Sequence, residues 1–127
     1  GLSDPFGSSL YNFVKNKDLK SEGSSITEGI GTSRITKNFE NTLIDYAYRI
    51  DDTKALNVIF NLLKHEGLCL GTSSGINVAG AIEMAKEMGP GNTIVTILCD
   101  VGSRSASKIF NVDFLKSKNL PYPDWLV

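Results

Sequence analysis

Histidine occurs once in the 127 residues, as His65, and cysteine twice, as Cys69 and Cys99. A zinc or similar site needs about four His or Cys ligands at short spacing, so no metal centre is expected. Basic charge shows no excess: 13 Lys and Arg stand against 14 Asp and Glu, for a net charge of −1. Nucleic-acid and anionic-membrane surfaces draw on clustered basic residues, so neither partner is expected. No apolar run approaches the roughly 18 residues of a membrane-crossing helix, and no secretory or transit segment is read. Each cysteine lies in an apolar run. Free cysteine is commonly buried, so two buried thiols in a reducing compartment are expected rather than a disulfide.

What is present is ordinary for a globular chain: 41% hydrophobic and 21% charged residues. The length suffices for one small domain or for part of a larger one. The opening Gly1–Gly7 (GLSDPFG) has no initiating Met and is written in loop residues. The expectation is a chain that starts within a longer protein, as a fragment or a processed product.

Ser9–Val14 (SLYNFV) predicts a short helix, followed by a polar connector over Lys15–Gly23. Ser24–Arg34 is rich in Gly, Ser and Thr without amphipathic period, and reads as an ordered loop of the kind that carries function. Leu43–Ile50 (LIDYAYRI) resembles a strand. A helix is predicted from Asp52 to Glu66, with Ala55, Leu56, Ile59, Leu62 and Leu63 as its buried stripe, His65 in its last turn and Gly67 as its stop. Leu68–Leu70 predicts a short strand leading into GTSSG (71–75), and Ile76–Met88 the next helix, stopped by Gly89-Pro90-Gly91. Thr93–Cys99 (TIVTILC) is continuously apolar, as in a strand buried on both faces. A turn over Asp100–Ser103, a helix from near Ser105 and an extended tail over Asn119–Val127 complete the chain. Alternating strands and helices predict an α/β fold with a parallel sheet. About three strands leave that sheet incomplete, with edges that aggregate or seek a partner.

GTSSG admits several readings. It fits the nucleophile-elbow pattern of serine hydrolases, but the one histidine precedes it in the chain and sits at a predicted helix end. A glycine-rich strand-to-helix turn also suits an anion, although the Lys of a P-loop is missing. Local physics favours a helix cap by Ser73 or Ser74. In Glu28-Gly29-Ile30-Gly31, two glycines around one Ile permit positive φ and a close approach to a ligand.

Taken together, EGIG (28–31), HEGLCLGTSSGINVAGAIEMA (65–85) and NTIVTILCD (92–100) resemble the cysteine synthase family, pyridoxal-phosphate (PLP) enzymes of the β-replacement group related to cystathionine β-synthase. The likeness covers roughly residues 1–110, in the family's order and spacing. DPFGSSLYNFVK at the start is similar to the fungal and bacterial branch with a DP-x-GS segment. The resemblance implies the C-terminal part of the tryptophan synthase β-like PLP-dependent fold. It implies that Ser73 hydrogen-bonds the pyridine nitrogen of PLP, and that Gly29 lies beside cofactor and substrate. It further implies that Thr72, Ser74 and Gly75 shape the pocket, and that Asp100 lies near the pyridine end. The implied substrates are O-acetylserine or serine with sulfide or a thiol, and the complete protein is implied to be a homodimer working in cytoplasm or mitochondrion. Two departures stand out. Cys99 replaces the family's usual Pro, and GIGTSR replaces GIGAGF. No match is found for the family's Schiff-base lysine or phosphate loop, which lie in its N-terminal half. The chain is therefore expected to be a C-terminal portion, inactive alone; one alternative is cystathionine β-synthase or another β-eliminating PLP lyase, and the other a degenerate, non-catalytic interaction module.

Overall fold

The computed structural model describes all 127 residues. Two strands form a parallel sheet, β1 (Leu2–Pro5) and β2 (Ala47–Ile50), in register from Leu2↔Ala47 to Pro5↔Ile50. The helices are α1 (Leu10–Asn16), α2 (Lys37–Glu40), α3 (Asp52–Glu66), α4 (Thr72–Met88), α5 (Ala106–Ile109) and α6 (Val112–Ser117). Tight 3₁₀ turns at Gly102–Ser105 and Asp124–Leu126 complete the elements. This is the incomplete parallel α/β sheet with flanking helices that the sequence predicts.

α3 forms as its periodicity requires. The Asp51 carboxylate accepts from Lys54 N at 2.8 Å and caps its start, and Gly67, at φ 69°, ends it. One stripe of α3 joins two apolar clusters. Ile50, Ala55, Ile76 and Ala79 fill the space between sheet, α3 and α4. Leu56, Ile59, Phe60, Ile109 and Leu115 bring the C-terminal helices onto α3. α4 approaches α3 closely because Gly75 has no side chain: a Cβ there would lie 2.7 Å from Ala55 O and 2.9 Å from Ile59 Cγ2.

Five expectations are corrected. The opening residues are not loop but β1. Asp4, 1% exposed, accepts from Tyr11 N at 2.8 Å, so a residue type that signals a turn here sits in a strand and ties α1 to it. β2 starts at Ala47, four residues later than predicted, and Leu43 is 93% exposed. Leu68–Leu70 makes only a single antiparallel bridge, Leu70↔Val101. Thr93–Cys99 is extended but belongs to no sheet, because residues 1–127 offer it no neighbouring strand. Val95 is 84% and Ile97 66% exposed. α4 also begins earlier than predicted, at Thr72. Docking of Gly71–Ile76, six consecutive buried residues, overrides the weak helix propensity of Ser-Ser-Gly.

Candidate functional site

The first turn of α4 is where the predicted residues gather. Thr72, Ser73 and Ser74 are its first three residues, and their backbone N–H groups have no partner in a preceding turn. All three are buried, at 3%, 2% and 0% exposure. Gly71 holds the cap position and supplies no side chain, so neither Ser73 nor Ser74 caps α4. That part of the sequence reading is overturned. The two serines have different roles. Ser74 Oγ accepts from Cys99 N at 2.9 Å and donates to Asp100 O at 3.5 Å. The Ser73 hydroxyl takes part in no hydrogen bond within the chain, although the residue is only 2% exposed.

Asp100 is brought to the same place. Its carbonyl accepts from Gly71 N at 2.8 Å, and Gly102 N donates to Cys69 O at 2.9 Å. Its carboxylate pairs with Arg104 Nη1, 3.4 Å away. Asn77, which the sequence reading did not single out, donates to Ile97 O at 3.0 Å and to Cys99 Sγ at 3.2 Å. Its signal was its place one turn after Ser74 on the same helix face. Both cysteines are free as expected but are exposed, which corrects the predicted burial. Each lies on the segment pair 69–71 and 99–102, which has no sheet above it. His65 is exposed in the last turn of α3, and no hydrogen bond joins it to Ser73, so no serine–histidine pair exists.

The glycine loop has the predicted backbone. Gly29 and Gly31 have φ of 77° and 82°, a region that favours glycine. Gly31 also passes close to the β1–α1 turn, where a Cβ would lie 2.9 Å from Pro5 Cγ and Ser8 Cβ. Gly29 is exposed with open space around it. Ile30 packs on the Ile50, Ala55, Ile76, Ala79 cluster, so the loop is joined to the core that α4 helps to build. Thr72, Ser73, Ser74, Gly75 and Asp100 thus form one group, and Gly29 stands on a neighbouring loop joined to it through the core.

Three ionisable groups beside this framework are shifted. Burial holds Asp4 above its ordinary value, partly offset by Ser8, Tyr11 and Arg49. Arg49, 2.6 Å from Glu22, holds that carboxyl below its ordinary value. Tyr48 is pushed up to about 12, by desolvation first and then by its hydrogen bond to Glu87.

The chain thus has a parallel α/β framework, a helix that begins with an unpaired Ser73 hydroxyl, and a glycine loop joined to it through the core. A family model described as "Pyridoxal-phosphate dependent enzyme" matches residues 2–100, and the chain belongs to that family. It is 44% identical over 132 residues to cysteine synthase 2 of Schizosaccharomyces pombe, covering 94% of this chain and 33% of that protein. It is 43% identical over 123 residues to cysteine synthase 1 of Neurospora crassa, again over 94% of this chain and 33% of the relative. The chain spans about a third of the length of these curated relatives. Its fold is similar to that of the O-acetylserine-dependent cystathionine β-synthase from Helicobacter pylori. The TM-score is 0.71 and the identity 33%, over 83% of this chain and 32% of that one.

Proposed function

We propose that the chain is the C-terminal portion of a PLP-dependent cysteine synthase-like enzyme, with residues 1–127 forming part of one catalytic domain. The complete enzyme would make cysteine from O-acetylserine and sulfide by β-elimination and replacement. The observation that carries this reading is the Ser73 hydroxyl at the start of α4, which has no hydrogen-bond partner in the chain although the residue is only 2% exposed. A hydroxyl left free by the chain is an available donor, and a ring nitrogen would accept from it. The helix N-terminus carries about half a positive charge. A ring nitrogen accepting from Ser73 would meet that positive end, which disfavours its protonation and keeps Ser73 the donor.

When bound, PLP supplies the electron sink for loss of the leaving group. The chain's own residues hold and shape its surroundings. Thr72, Ser74 and Gly75 form the wall around Ser73, Ser74 fixes the Cys99–Asp100 backbone there, and Gly29 presents open backbone on the substrate side. Asp100 is proposed near the pyridine end, although its carboxylate pairs with Arg104. The lysine that joins the cofactor is proposed to lie in the rest of the protein, so residues 1–127 alone are proposed to be inactive. By the same resemblance we place the complete protein as a homodimer in cytoplasm or mitochondrion. A cystathionine-forming variant, using serine or O-acetylserine and a thiol, is a second reading, supported by the likeness to the Helicobacter pylori enzyme.

Ser73→Ala in the complete protein is the direct test. Loss of one hydrogen bond predicts about tenfold weaker PLP binding, with slower turnover. Unaltered PLP affinity and rate in that variant would sink the assignment.

A further inference from the structure

The segment from Ser25 to Gly31 belongs to no helix or strand, yet two ionic side chains from distant elements grip its backbone. From the first residue of α3, Asp52 accepts from Ser25 Oγ at 2.5 Å and from Ile26 N at 3.0 Å. From α5, Lys108 Nζ donates to Ile26 O at 3.1 Å and to Glu28 Oε1 at 2.5 Å. Ile26 is thus held by a carboxylate on its N–H and an ammonium on its carbonyl. The same Ser25 Oγ accepts from Thr27 N at 3.0 Å. Asp52 is available for this because Asp51 caps α3.

The two grips stand immediately before the left-handed glycines Gly29 and Gly31. Glycine has the most conformational freedom to lose on ordering, so tethers on the preceding residues set the loop's range. Ser25, Thr27 and Gly31 also line one wall of a cleft of about 350 Å³ beside the β1–α1 turn. An exposed ion pair by itself is worth little. Lys108, however, has a side chain only 28% exposed and adds a charge-assisted bond to main chain, so it restrains the loop and not merely the Glu28 side chain.

We propose that Asp52 and Lys108 are positioning residues that hold the Ser25–Gly31 loop in the shape an amino-acid substrate meets. The proposal rests on the reading that Gly29 lies on the substrate side of the site. The test compares Lys108→Met, Lys108→Arg and Glu28→Gln in the complete PLP-loaded protein. For Lys108→Met, one lost charge-assisted bond predicts a KM for O-acetylserine raised about tenfold, with PLP affinity within about twofold. Amide exchange at residues 26–31 should quicken by about tenfold and that of α4 stay unchanged. Lys108→Arg should restore KM, and Glu28→Gln should give a smaller rise because the bond to Ile26 O persists.

Unchanged KM and unchanged exchange at 26–31 overturn the proposal. A fall in Tm with no change in KM overturns it too, since that marks a purely structural pair. Should Lys108→Met fail to fold, Glu28→Gln carries the same comparison, its side chain being largely exposed. Absence of PLP-dependent turnover in the unsubstituted protein would defeat the functional reading instead. The exchange contrast between that protein and Lys108→Met would still decide whether the grip exists.

Discussion

Residues 71–76 and 93–99 invert the expectation that apolar stretches are buried and polar ones exposed. Gly71–Ile76 is mostly Gly, Thr and Ser, with Ile76 its one large apolar side chain, and all six residues are buried. Thr93–Cys99 is the most apolar run in the chain, yet Val95, Ile97 and Leu98 are 84%, 66% and 48% exposed. Burial follows the available partner. α3 and the sheet wrap the start of α4, where small residues permit close approach. Ser74 and Asn77 fasten the C-terminal end of the 93–99 ribbon by side-chain hydrogen bonds where a sheet would use a ladder. In the proposed complete enzyme, a strand from the remaining two thirds would cover it.

Single substitutions test this contrast. Ile76→Ala, in the core, should destabilise the chain by about 2–5 kcal/mol, whereas Ile97→Ala should fall within about 0.5 kcal/mol. Urea denaturation of the two variants checks this, and equal losses would abolish the distinction. Gly75→Val should cost about 1–3 kcal/mol by forcing α4 off Ala55, seen as a lower Tm. Ser74→Ala should cost about 1 kcal/mol and speed amide exchange at Cys99, because the ribbon loses its anchor while α4 remains. Slow exchange at Cys99 in that variant would show that something other than Ser74 holds the ribbon.

The smallest effects are expected from pH, at two carboxyls that both approach Arg49. Asp4 is raised above 3.8 by burial. Its contribution to stability is fully present below 3.8 and is lost as pH rises through the raised folded value. Glu22 is lowered from 4.5 by Arg49. Its contribution is present above 4.5 and is lost as pH falls through the lowered value. Asp4→Asn keeps an acceptor for Tyr11 N, so its stability should gain on the natural chain as pH rises from about 3 to about 6. The deficit of Glu22→Gln should shrink as pH falls from about 5 to about 3. Denaturation midpoints across pH check both, and a common direction for the two variants would contradict the assigned causes.

Much of the framework was legible from residues alone. α3, its Asp and Gly boundaries, the glycine stop after α4 and the left-handed glycines of EGIG all follow from rules acting within a turn or two of chain. β1 was not legible, because Asp4 and Pro5 are turn residues by type and become strand only against β2. Asp52 stands at the predicted start of α3, and its contact with a distant loop has no local sign, because Asp51 caps the helix. Nothing local to Lys108 announced a partner.

The sequence by itself determined α1, α3 and the body of α4, the glycine turns and the three motifs that mark the family, since propensity, capping and periodicity are local. Only the tertiary structure decided that Ser73 is buried without a partner while Ser74 is engaged. It alone decided that the most apolar run lies open, and that Asp52 and Lys108 grip one loop from 26 and 82 residues away. Those outcomes depend on which surfaces meet across the fold, and a residue's type does not encode where its distant neighbour will stand.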